Sequence, residues 1–174
     1  MLIVLVLSVV GGLMISTTST EAIVRTVTSA TSSGQLVSRS VTTGIQNSGN
    51  SSSTAAPFKL TAPSGNDQML TALKVGSAAT ITYQCVAWYY SATERSVRYT
   101  TSGAAIPVPS SATLATWTLL STGVSPLSGT GIFAQQGSKG VTLSFKEDAG
   151  KSNAVVFQTS ATSRTGLTGN IACF

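Results

Sequence analysis

The chain has 174 residues, the length of one domain, and only 9% of them are charged, against about 25% in an average soluble domain. It contains no histidine, two cysteines and five acids, Glu21, Asp67, Glu94, Glu147 and Asp148, so a His-dependent general base, a Ser–His–Asp or Cys–His pair and most zinc or haem sites lack their residues. The net charge of +5 sets ten basic residues against the five acids, and the basic residues, Arg25, Arg39, Lys59, Lys74, Arg95, Arg98, Lys139, Lys146, Lys151 and Arg164, are spread along the chain rather than clustered among aromatics, which argues against nucleic-acid binding. Serine and threonine fill the space instead, 27 and 26 of them. This composition reads as non-catalytic, with no cofactor and no metal.

Residues 1–15, MLIVLVLSVVGGLMI, carry no charge, and Ser8 is the only polar residue among them. Leu2, Ile3, Val4, Leu5, Val6, Leu7, Val9, Val10, Leu13, Met14 and Ile15 form the apolar surface of a membrane or assembly helix. The run falls slightly short of the roughly 20 residues that span a bilayer, and it lacks the positive n-region of a secretory signal peptide. Beyond it Ile23, Val27, Ala30, Gly34, Val37, Val41 and Ile45 recur at a mean spacing of about 3.7, which is helical. The spacing predicts one helix over 2–46, apolar all round at first and amphipathic later, about 65 Å long at 1.5 Å per residue. Ile23, Val27, Val37, Val41 and Ile45 are its expected contacts with a sheet. The competing reading is a disordered Ser/Thr stalk over 16–46 behind a signal peptide. Residues 47–57, NSGNSSSTAAP, read as a linker loop.

From residue 58 to 174 the periodicity is two, as in a sheet domain. Residues 80–90 read as a strand with Ile81, Tyr83, Cys85, Ala87 and Tyr89 on one face. Residues 95–100, 116–120, 141–145 and 154–161 supply four more, and 147–150 a turn. About five antiparallel strands with one face needing cover would meet the helix stripe, giving an α+β fold. Cys85 and Cys173 are expected to pair in an oxidising compartment; the alternative is two reduced thiols.

An apolar helix, its amphipathic continuation, a polar loop and an antiparallel sheet with a late cysteine pair together resemble the type IV pilin-like family. LIVLVLSVVGGLM is similar to the interior of the helix that follows the family's leader-peptidase motif. Cys85 with Trp88, Tyr89 and Tyr90, then Arg98-Tyr99, Trp117-x-Leu119-Leu120-x-x-Gly123-Val124, Val141-x-Leu143-x-Phe145 and Ser163-Arg164 resemble PilW-type minor pilins and the J pseudopilin of type II secretion. The family's Gly-Phe-Thr-Leu-x-Glu motif is missing from the sequence. Its expected place is upstream of Met1, which would bring the apolar stretch to about 23–25 residues, enough to span a bilayer. Glu21 lies too far along to stand in for the motif's glutamate.

The resemblance implies a structural subunit, a minor pilin or pseudopilin. Its helix would sit in the membrane as a single pass with the sheet domain outside the cytoplasm, then join other pilin or pseudopilin subunits in a pilus or pseudopilus. Its partners would be those subunits and membrane lipid. An alternative is a membrane-anchored extracellular adhesin or ligand-binding module with Trp88, Tyr89, Tyr90 and Trp117 as an exposed platform, although large aromatics are more often core. An enzyme using Glu147 and Asp148 is the weakest reading, because adjacent acids on a strand or turn point apart and are ordinarily solvated.

Overall fold

The structure, a computed structural model, describes the backbone of residues 2–50, 56–76, 82–164, 169 and 171–174, and their side chains from residue 20 onward. One helix, α1 (Leu2–Gln46), runs unbroken through 45 residues. Its hydroxyl groups are accommodated locally: Thr26 Oγ1 donates to Ile23 O at 2.9 Å and Thr31 Oγ1 to Val27 O at 2.7 Å. These side chains bond their own helix backbone instead of drawing it into other conformations. Packing supplies the stability that such mediocre helix formers lack. Val37, Val41 and Ile45 are fully buried, about 1.5–3 kcal/mol each relative to exposure. The helix ends where Asn47 N donates to Thr43 O at 3.1 Å, Ser48 Oγ to Ile45 O at 2.6 Å and Arg164 N to Gln46 O at 3.2 Å. Those bonds satisfy carbonyls that a helix terminus otherwise leaves open.

The strands form two antiparallel sheets where the sequence suggests one of about five strands. The first contains β1 (Ser48–Gly49), β2 (Phe58–Thr61), β3 (Gln68–Val75), β4 (Tyr83–Ser91), β5 (Ser96–Ser102) and β6 (Thr118–Thr122), in the order β1-β3-β4-β5-β6 with β2 also on β3. The second contains β7 (Val124–Pro126), β8 (Phe133–Gln136), β9 (Gly140–Glu147) and β10 (Val155–Thr162), in the order β10-β9-β7 with β8 also on β9. Gly123, at φ +77°, turns the chain from one sheet into the other, a conformation that costs glycine no steric strain. Gln68 joins the sheets: its Oε1 accepts from Ile132 N at 2.7 Å and Phe133 N at 2.8 Å, and its Nε2 donates to Phe133 O at 3.0 Å. The expected linker 47–57 is partly strand, because β1 pairs with β3; residues 51–55 lie outside the described residues.

Both faces of the first sheet are covered, not one. Val86, Trp88 and Tyr90 on β4 face α1 and the second sheet, in one cluster with Val37, Val41, Ile45, Phe133, Leu143 and Phe145. The opposite face carries Ala87 and Tyr89, covered by Leu114 of the short helix α2 (Ser111–Ala115) and by Trp117. Cys85 on that same face packs with Leu73 and Cys173. The face expected for Tyr83, Cys85, Ala87 and Tyr89 is therefore the one turned away from α1; Ile81 lies outside the described residues.

Candidate functional site

The docked part of α1 begins at Ala30. Ala30, Gly34, Val37, Val41, Gly44 and Ile45 are buried, and two glycines allow close approach. A Cβ on Gly34 would overlap the Phe157 ring, and one on Gly44 the Trp88 ring. Trp88 Nε1 also donates to Ser40 Oγ at 2.9 Å, so the indole both packs on the helix and bonds to it. Of the expected packing residues, Val37, Val41 and Ile45 lie in this interface, whereas Val27 is half-buried and Ile23 is 43% exposed. The reading of Ile23 is corrected: α1 has by then run past the edge of the sheets, and residues 20–26 are exposed. There Arg25 and Glu21 pair at 2.5 Å with both side chains in solvent, where an i, i+4 pair contributes only a few tenths of a kcal/mol.

The side chains of Leu2, Ile3, Val4, Leu5, Val6, Leu7, Val9, Val10, Leu13, Met14 and Ile15 lie outside the described residues. Among the described residues no helix is long and apolar enough to cross a membrane.

Cys85 and Cys173 form a disulfide across a sequence separation of 88. Both are fully buried, so the bridge fixes the carboxy-terminal tail to the outer face of the first sheet. The proposed aromatic platform is not exposed: Trp88, Tyr89, Tyr90 and Trp117 are all buried. Trp88 stacks obliquely on Tyr99 and Tyr89 meets Trp117 edge-on. The Tyr89 hydroxyl donates to Asp67 at 2.8 Å. Burial first, and then this bond, push its pKa up to about 12.

The least expected side chain is Glu147. Read from the sequence as a solvated turn residue beside Asp148, it is instead the last residue of β9 and 2% exposed. It sits where α1 and both sheets meet. Ser33 Oγ of α1 and Ser121 Oγ of β6 both donate to its Oε1, the latter at 2.6 Å; Oε2 is buried without a partner. Burial raises its pKa, and the bonds from Ser121 and Ser33 oppose that rise.

The signal for this burial is present in β9. Val141, Leu143, Phe145 and Glu147 alternate onto one face, so the strand's period carries Glu147 into the core. Asp148, one residue on, is half-exposed and lies 3.7 Å from Arg95.

A carboxyl whose pKa is raised on folding binds its proton more tightly in the native state. Its contribution to stability is then fully present below the ordinary carboxylate range and is lost as pH rises toward the folded pKa. Chemical unfolding of the wild-type chain is expected to show stability declining across that window. Glu147→Gln keeps the Oε1 acceptor without the titration, so its profile should be flat there; an equal decline in the variant would show that another group titrates.

Among the described residues no group of three or more acidic or cysteine side chains is placed to hold a metal ion. No protein-family model, curated protein or solved structure matches the chain.

Proposed function

We propose that the chain is a structural subunit of a filament, a minor pilin or pseudopilin, acting without catalysis. One observation carries this reading: in an unbroken 45-residue helix, among the described side chains, burial against the sheets begins at Ala30. Its earlier part carries residues 2–15 of the uncharged opening run. A helix with such a surface exchanges lipid for neighbouring helices at little net cost, because lipid tails are as apolar as leucine. The helix would first hold the subunit in a membrane as a single pass, with the sheet domain on the extracytoplasmic side, and then pack among the helices of other pilin or pseudopilin subunits. A buried disulfide suits an oxidising, extracytoplasmic location. With the aromatics buried, the adhesin reading keeps no exposed platform to support it.

Deleting residues 1–15 is expected to release the domain from membranes into the soluble fraction and to abolish its co-purification with filaments. Fractionation and filament pull-down of tagged chains would measure both. Incorporation of the truncated chain at the level of the full chain would overturn the proposal.

A further inference from the structure

A cavity of about 380 Å³ opens where α1 leaves the sheets, and Thr26, Ser29, Ser33, Ser121, Glu147 and Asp148 are among the residues that line it. Its wall combines hydroxyls and two carboxyls with the apolar side chains of Ala30, Leu119 and Leu120, and no cation is among the lining residues. Glu147 is 2% exposed and its Oε2 has no partner. A buried acceptor left unpaired is costly, and a donor entering the cavity would remove that cost. We propose that this cavity receives a primary ammonium group, the head of a lysine side chain or of a free amine.

The geometry favours ammonium over its rivals. A guanidinium prefers to bridge both oxygens of one carboxylate, but Oε1 of Glu147 already accepts from Ser33 and Ser121. One free oxygen suits a point donor. Calcium takes six to eight oxygen ligands and magnesium near-ideal octahedral geometry, and no such acidic group is assembled among the described residues. An ammonium has three donors, and Glu147, Asp148 and the hydroxyls of the lining supply acceptors for them.

A source is at hand in the chain itself. None of its lysines, Lys59, Lys74, Lys139, Lys146 and Lys151, forms an ion pair among the described residues. Insertion of one such lysine from a second copy rests on the assembly reading above; the ammonium chemistry does not.

Occupancy is linked to pH. The charged groups around Glu147 are Asp148 and Lys146 beside it in sequence and Arg95, which reaches Asp148 at 3.7 Å. The lining residues from α1 and β6 are uncharged. An ammonium favours the carboxylate form, so binding releases a proton and affinity rises with pH, by up to about tenfold per unit while Glu147 titrates.

The test uses the full-length chain in detergent micelles, labelled with carboxyl-13C glutamate. Glu21, Glu94 and Glu147 are its three glutamates, and Glu147→Gln assigns the relevant resonance. Titration with N-acetyl-lysine amide is expected to move the Glu147 resonance saturably, with affinity rising with pH; N-acetyl-norleucine amide, its neutral counterpart, should leave it in place. Asp148→Asn alters a half-exposed side chain outside the core and should weaken binding by about tenfold, the size of one lost charge-assisted bond. No response to the lysine amide, an equal response to norleucine amide, or a response to calcium alone would overturn the proposal. Sedimentation of wild type and Glu147→Gln separates the sources. Weaker self-association of the variant assigns the lysine to a second copy, and unchanged self-association of the variant, where the wild type binds the lysine amide, assigns a free amine. Failure of the amine titration leaves the filament assay of the truncated chain untouched, so the two readings fall separately.

Discussion

Replacing both cysteines, Cys85→Ser with Cys173→Ser, is expected to destabilise the full-length chain by about 4–5 kcal/mol, as the chain-entropy model gives for a closed loop of this size. The bridge spans 88 positions of sequence, so its loss restores a large ensemble of conformations to the unfolded chain. The folded state loses as well. Ile171 packs against the buried cluster of Leu73, Cys85 and Cys173, and without the bridge this tail is tethered only by its own contacts. Urea unfolding followed by circular dichroism measures the change. Reductant should reproduce it in the wild type and have no effect on the double variant. A loss below about 1 kcal/mol would mean that the tail's packing, and not the cross-link, holds this edge of the first sheet.

The helix was the most legible element, because seven apolar or small residues at a mean spacing near 3.7 leave little choice of conformation. β4, β5, β6, β9 and β10 were legible through their β-branched and aromatic alternation. β3 was not: QMLTALKV is buried on both faces over Met69–Leu73, and a strand covered on both sides loses the alternation that marks it. β7 and β8, of three and four residues, are too short to display a period. Without them the second sheet does not emerge, and Glu147 has nowhere to be buried. Its hydroxyl partners, Ser33 and Ser121, lie 114 and 26 residues away, a pairing that topology alone supplies. Ile23 continues the stripe in sequence, yet the stripe outlasts the sheets it packs on. Periodicity reports which face of a helix is apolar, but the reach of the partner decides how much of that face is used.

Trp88→Ala is expected to cost about 3–5 kcal/mol, the usual range for truncating a large buried aromatic, and to loosen the attachment of α1. Trp88 is 1% exposed and belongs to the cluster that joins α1 to both sheets. Its removal empties the space above Gly44 and deprives Ser40 of the indole donor. Gly44→Ala separates this interlock from helix propensity. Propensity alone favours alanine by up to about 1 kcal/mol. The added methyl, however, would overlap the Trp88 ring, and the bond to Ser40 and the contact with Tyr99 restrain that ring from moving aside. Overpacking of this kind costs about 1–3 kcal/mol, so Gly44→Ala should destabilise the wild type. In a Trp88→Ala background the clash is gone, and the same substitution should become neutral or stabilising. That reversal of sign in a double-mutant cycle, read by denaturant unfolding, would place the coupling between Gly44 and Trp88 themselves. A Gly44→Ala variant as stable as wild type would mean that the indole has room to shift and that α1 is held by the Val37, Val41 and Ile45 ridge alone.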